Sequence, residues 1–218
     1  MQRELIDLFH PDREIVSQAA EAILADKIIC LPTETLYGLS GNALSSGVLR
    51  KINRVKGRGE DDPCIMLIEK SAASEWIEGY DRLKPITDIY WPGPLTLIID
   101  PKPGSVPQGM KNSDGGVAIR AASLPLDIDI IRACGVPIIS TSANSVGERT
   151  PSTLDGLHEW LASFCDFALD GGKLYTAEPS SIIDVRSFPS EIRVYREGAI
   201  SLQALKLDLQ TTKFTIVE

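Results

Sequence analysis

The chain has 218 residues, 43% of them hydrophobic, and a formal net charge of −8. That length suits the core of one ordinary domain, no stretch stays apolar long enough to span a membrane, and the acidic balance excludes indiscriminate adhesion to nucleic acid. Residues 1–5 lack the apolar core of a signal peptide, so the expectation is one cytoplasmic domain over 1–218, with a core over about 14–201 and a tail over 202–218.

Residues 14–26 bring Ile15, Ala19, Ala22, Ile23 and Ala25 near helical spacing and predict an amphipathic helix, followed by a buried strand over 27–31. The chain then spends its next turn on hydroxyls, in LPTETLYGLSG over 31–41. A second helix is predicted from Ser45 to about Arg54, with Val48, Leu49 and Ile52 on one side and cations on its exposed side and last turn, where the helix dipole favours them. Arg50, Lys51, Arg54, Lys56 and Arg58 put five cations within nine residues, just ahead of Glu60, Asp61 and Asp62. A strand over 64–68, helical patterns over 72–78 and 82–90, the packed corner Trp91-Pro92-Gly93-Pro94 and a strand over 95–99 follow. Residues 101–116 hold three prolines and four glycines and predict a long surface loop with the length of a lid.

Beyond it come a strand over 117–120, a helix over 126–134, and a strand over 136–139 that runs into Ser140-Thr141-Ser142-Ala143-Asn144. A helix capped at Ser152 or Thr153, with Asp155 in its first turn, is predicted after Pro151. Strands over 167–169, 182–185 and 192–195, a strand-end turn at Asp170-Gly171-Gly172 and a helix over 200–205 complete the chain. Adjacent strands mixed with strand–helix alternation predict an α/β fold with a mixed, twisted sheet.

Cys30, Cys64, Cys134 and Cys165 are never closely paired and read as buried, reduced thiols. With only His10 and His158, a histidine triad or two-histidine metal site has little to draw on, so any chemistry falls to hydroxyls, carboxylates, cations and main-chain amides. Two apolar strands each spill into a hydroxyl-rich turn, and strand ends are where an open α/β sheet forms its ligand crevice. Singly, Thr33, Thr35, Ser140 and Ser142 read as turn caps. Together with the cation cluster they read as walls of one pocket. In Lys56-Gly57-Arg58 the glycine permits a positive φ, and the flanking cations suit either phosphate or a solvated basic face. Neither a Walker A nor a G-x-G-x-x-G pattern occurs. Tyr37 either lines the crevice or packs beneath it.

In this order, Pro32-Thr33-Glu34-Thr35-Leu36-Tyr37-Gly38-Leu39, Lys56-Gly57-Arg58, Trp91-Pro92-Gly93-Pro94-Leu95-Thr96, Val117-Ala118-Ile119-Arg120, Ser140-Thr141-Ser142-Ala143-Asn144 and Arg196-Glu197-Gly198-Ala199-Ile200 resemble the YrdC/Sua5/YciO family over about residues 14–201. The resemblance implies a twisted sheet around a concave, positively lined cavity. It also implies a nucleotidyltransferase making L-threonylcarbamoyladenylate from L-threonine, bicarbonate and ATP, for threonylcarbamoylation of a tRNA adenosine with a tRNA threonylcarbamoyl-transferase as partner. By motif, Lys56, Arg58, Ser142 and Asn144 would be catalytic and, with Asp62 and Arg196, would surround ATP. Thr33, Thr35, Tyr37, Arg120, Ser140 and Ser181 would bind L-threonine, and Mg²⁺ would accompany the ATP phosphates. Departures from the synthase pattern at Gly59, Asp62, Leu67, Val146, Pro179 and Glu197 lean towards the YciO-like branch. They sustain two alternatives, a double-stranded RNA- or tRNA-binding protein and a nucleotide-binding paralogue with another acceptor. The chain is also expected to lack the C-terminal domain of long Sua5 forms.

Overall fold

The computed structural model describes residues 2–59, 62–144, 150–157, 159–174, 178–209 and 215–217. Glu60, Asp61, Val146, Gly147, His158 and part of the 202–218 tail lie outside the described residues. Strand β1 (Gln2–Leu5) is followed by helix α1 (Arg13–Leu24), whose start Asp12 caps by accepting from the Glu14 N–H at 2.8 Å. A hairpin of β2 (Ile29–Pro32) and β3 (Tyr37–Ser40) leads to α2 (Ser46–Lys56), where Ser45 accepts from the Val48 N–H. Strand β4 (Ile65–Ile68), short helices α3 (Ala73–Trp76) and α4 (Lys84–Tyr90), strands β5 (Leu95–Ile99) and β6 (Val117–Ala121), helix α5 (Pro125–Cys134) and strand β7 (Ile138–Ser142) come next. Helix α6 (Glu159–Phe164), strands β8 (Phe167–Asp170), β9 (Ser181–Asp184) and β10 (Glu191–Arg196), helix α7 (Leu202–Asp208) and strand β11 (Thr215–Val217) complete the order.

The described strands form one sheet in the order β1-β8-β2-β3-β7-β4-β6-β5-β9-β10-β11, with parallel and antiparallel pairs mixed as expected. Both faces are covered, and strand alternation shows it. Ile29 and Leu31 enter one apolar cluster with α1 and α5, whereas Cys30 between them enters the other with α2 and α4. Leu67 and Ile138 likewise face α5, whereas Met66 and Ile139 face the opposite cluster. All four cysteines are buried free thiols. The Trp91–Pro94 corner is packed, with the indole N–H donating to Leu95 O at 2.7 Å.

Four expectations change. Strand β7 runs through Ser142 instead of ending at residue 139, because β3 and β4 on either side pair with Ser140, Thr141 and Ser142. The hydroxyls of Ser140, Thr141 and Ser142 therefore belong to a strand, not a turn. Residues 101–116 are not wholly a surface loop: Val106 and Met110 are buried, and bridges pair Pro101 with Ile77 and Lys111 with Val117. The helix expected after Pro151 is a single 3₁₀ turn at Leu154–Gly156, followed by α6. Finally, β1, β3 and β11 have no counterpart in the sequence reading. In β3 the composition favours a turn, but pairing on both edges makes it a central strand.

Tyr37 anchors the end of β8. Its hydroxyl donates to Gly172 O at 2.7 Å and accepts from the Gly171 N–H at 3.1 Å, and burial raises the phenol pKa so that it remains a neutral donor. Tyr37→Phe is expected to cost about 1–2 kcal/mol, measured by urea unfolding, because it leaves these backbone groups short of a partner.

Candidate functional site

A cavity of about 750 Å³ opens on the sheet face shared with α5, walled by the 33–36 turn, the segment after α2, β6, β7, residues 179–182 and the end of β10. Its cationic wall is built from distant parts of the chain: Arg58, Arg120 and Arg196 all line it.

The route to Arg58 starts with the end of α2. Gly57, at φ +67°, terminates the helix, its N–H donating to Arg54 O while the Arg58 N–H donates to Asn53 O. The glycine is thus a helix cap that redirects the chain, so Arg58 reaches the cavity while Arg50, Lys51 and Arg54 remain outside. Lys56, 3% exposed, turns inward behind the cavity wall. Its ammonium donates to Ser142 O at 2.5 Å and Asn144 Oδ1 at 3.0 Å, with Ser142 Oγ at 3.4 Å. Ser142 Oγ in turn donates to Asn144 Oδ1 at 2.5 Å. The 56–58 tripeptide and the serine–asparagine segment therefore meet, as the sequence suggested. Burial and then the charge of Arg58 lower the Lys56 pKa to about 8.

On the opposite side, Thr33 Oγ1 accepts from the Thr35 and Leu36 N–H groups and donates to Leu36 O at 2.8 Å. The Thr33 and Thr35 hydroxyls lie 2.9 Å apart. Thr35 Oγ1 also accepts from Arg120 Nη1 at 3.1 Å. Arg120, 2% exposed, reaches Ser140 Oγ at 3.5 Å and pairs with Glu34 at 3.3 Å. Arg196 donates from Nε to Ser180 O at 2.9 Å and from Nη2 to Ser180 Oγ at 3.2 Å. Burial lowers the Arg196 pKa, and the charges of Arg120 and Arg58 lower it further, a direct sign of a wall with excess positive charge.

The structure thus brings Lys56, Arg58, Arg120, Arg196, Thr33, Thr35, Ser140, Ser142 and Asn144 together. It does not bring Ser181 or Asp62 to the cavity, and Tyr37 lines it while its hydroxyl is engaged by Gly171 and Gly172. Ser181 Oγ donates to Ile200 O at 2.6 Å and accepts from the Gly198 and Ile200 N–H groups, while alternation puts Ser180 and Ile182 on the wall. Gly198 is needed there, because an added Cβ would sit 2.3 Å from Pro179 O. The Asp62 carboxylate is exposed and accepts from the Gly59 N–H at 3.0 Å, facing a neighbouring hollow with Arg50 and Lys111. Two departures from the family pattern also acquire structural roles: Glu197 accepts from the Leu202 N–H at the start of α7, and Leu67 packs against α5. Ser180, Thr150 and Cys64 line the cavity without having been singled out from sequence. For Ser180, the period-2 pattern of β9 was the available signal. Burial pushes the Cys64 thiol up to about 11, so it is no nucleophile near neutral pH.

A family model for Sua5, YciO and YrdC, described as telomere recombination, matches residues 21–198. A putative threonylcarbamoyl-AMP synthase of Methanocaldococcus jannaschii is 31% identical over 194 residues, covering 88% of this chain and 90% of the relative. The threonylcarbamoyl-AMP synthase of Bacillus subtilis is 32% identical over 77% of this chain, which spans 49% of that longer protein. The crystal structure of Pyrococcus abyssi Sua5 complexed with L-threonine superposes with a TM-score of 0.85 at 26% identity, over 97% of this chain and 62% of that one.

Lys56 provides a test of this geometry. Its pKa falls from 10.5 in the unfolded chain to about 8 in the folded one. Between those values the unfolded state binds more protons, so this group makes stability rise with pH across that window. An NMR titration of the Lys56 side chain is expected to show a midpoint near 8. An anionic ligand at the cavity should raise that midpoint, and its affinity should weaken as pH climbs past it.

Proposed function

The chain belongs to the Sua5/YciO/YrdC family, and from that premise we propose that it is a nucleotidyltransferase forming threonylcarbamoyl-AMP from L-threonine, bicarbonate and ATP. One observation carries the reading: Arg58, Arg120 and Arg196 converge on a single cavity beside the hydroxyls of Thr35, Ser140 and Ser142. A cavity of about 750 Å³ falls in the size range of small-molecule and cofactor sites.

In this reading Arg120 takes the carboxylate of threonine, with Thr35 and Ser140 beside it. Arg58 and Arg196 face the ATP phosphates, and Lys56 holds Ser142 and Asn144 in place from behind. The threonine nitrogen bonds to the carbon of bicarbonate and water leaves, giving a carbamate. A carbamate oxygen then attacks the α-phosphorus, and pyrophosphate departs with the bonding electron pair. The protein's contribution is alignment and neutralisation of the charge that builds on the phosphate oxygens, which needs no protein nucleophile. Mg²⁺ would accompany the ATP phosphates and would help neutralise their charge. The product would pass to a tRNA threonylcarbamoyl-transferase.

A second reading, double-stranded RNA or tRNA binding, draws on the exposed cations Arg50, Lys51 and Arg54 of α2. It predicts RNA affinity that falls steeply with salt, with a slope that flattens when these three become alanine; salt-independent binding or none removes it.

Incubation with ATP, labelled bicarbonate and L-threonine is expected to release pyrophosphate only when all three are present. Arg120→Ala should raise KM for threonine roughly 30-fold or more, as loss of a buried charged contact implies. Arg58→Ala should lower kcat/KM for ATP on the order of 100-fold. Pyrophosphate release that ignores threonine and bicarbonate would eliminate the synthase reading.

A further inference from the structure

Behind Arg120, the sheet face is covered by α5. Leu67 of β4 lies opposite Arg120 of β6 in the paired register, and Leu67 packs in the apolar cluster with Leu126 and Ile130 of α5. Side chains opposite one another on paired strands share a face, so Arg120 points to the side that α5 closes. The first turn of α5 carries Asp127, which is 0% exposed. Neither of its carboxyl oxygens has a hydrogen-bond partner among the described residues.

Two charged groups act on Asp127: Glu34, from the turn between β2 and β3, and Arg120. Among the described residues, α1, which packs on α5, brings no buried charge. Arg13, Glu14 and Glu21 of α1 are exposed, as are Asp7 and His10 near the Leu8 carbonyl that accepts from Leu126. On α5 itself, Asp129 is half-buried and Arg132 is exposed. An ionised carboxylate without a partner is among the costliest groups to bury, far costlier than the neutral acid. Burial and then the charge of Glu34 push the Asp127 carboxyl well above its ordinary range, and Arg120 offsets them only in part. A buried carboxyl with both oxygens unsatisfied weakens the fold, so hydrogen bonding gives no reason for it here.

We infer that Asp127 is a positioning residue that acts through Arg120: as a buried neutral acid it leaves the guanidinium balanced by Glu34 alone, and so able to accept the carboxylate of an incoming amino acid. The inference rests on the amino-acid site proposed at Arg120. With Asp127 ionised, one guanidinium would face two carboxylates, and a third anion would be repelled.

Two measurements on wild-type and Asp127→Asn protein test this. The Nε–Hε resonance of Arg120 in ¹⁵N spectra needs no ligand. In the wild type it should shift as rising pH ionises Asp127, and in Asp127→Asn that step should be absent. Calorimetric affinity for L-threonine should then fall by up to about tenfold per pH unit above the step in the wild type, and less steeply in Asp127→Asn. Lys56 and the ligand's amine titrate in both proteins alike, so the difference between the two profiles is the quantity read. Asp127→Leu, which replaces the carboxyl with packing, should match Asp127→Asn and guards against a folding defect in one variant. An Arg120 resonance without an Asp127-dependent step overturns the inference, as do superposable threonine profiles. A step at Arg120 with no L-threonine binding to any of the proteins upholds Asp127 as the group that sets the charge there, and removes instead the amino-acid reading of the cavity.

Discussion

The ammonium of Lys56, held under the cavity wall by Ser142 O and Asn144 Oδ1, joins two parts of the chain 86 residues apart. Much of the site follows from that contact. It fixes where α2 must end, because Lys56 occupies the last helical position and Gly57 has to turn the chain immediately afterwards. It also ties the end of β7 to the end of α2, beside the cavity. A lysine this deeply buried is costly, and its lowered pKa near 8 reflects that cost. The contact is therefore stable chiefly because three oxygens surround the charge.

The arginines carry the same logic further. Folding places three guanidiniums around one hollow, and Arg196 responds with a lowered pKa. Such an arrangement stores electrostatic repulsion that an anion relieves, which is why a polyanionic ligand fits it better than a neutral one. Arg120 differs from the other two. Glu34 already balances it, and two hydroxyls orient it, so it offers a directed fork for one carboxylate within a broadly positive wall.

Rigid elements support this placement. Arg120 and Ser140 sit on central strands of the sheet, with β4 paired between their own strands β6 and β7. Within residues 101–116, Val106 and Met110 are buried. The strands that carry Arg120 and Ser140 are fixed by pairing on both edges, which holds the backbone beneath these two side chains in place.

Local pattern was enough to read much of this molecule. The helical spacing before Asp26, the strands at 95–99 and 117–120, the exposed side of α2 with Arg50, Lys51 and Arg54 and the mixed α/β class all follow from periodicity, which one segment carries by itself. The ordered motifs likewise marked Lys56, Arg58, Arg120, Ser142 and Asn144. What the sequence alone could not specify was direction. Whether Ser180 or Ser181 faces the cavity depends on the register of β9, and whether Ser140 belongs to a turn or a strand depends on neighbours that supply pairing partners. Nor does anything near Asp127 in the chain announce its role: that acid acquires its meaning only when α5 lies across Arg120 and withdraws both from water. Solvent exposure and distance between remote charges are properties of packing, and those two quantities decide the electrostatics of this site.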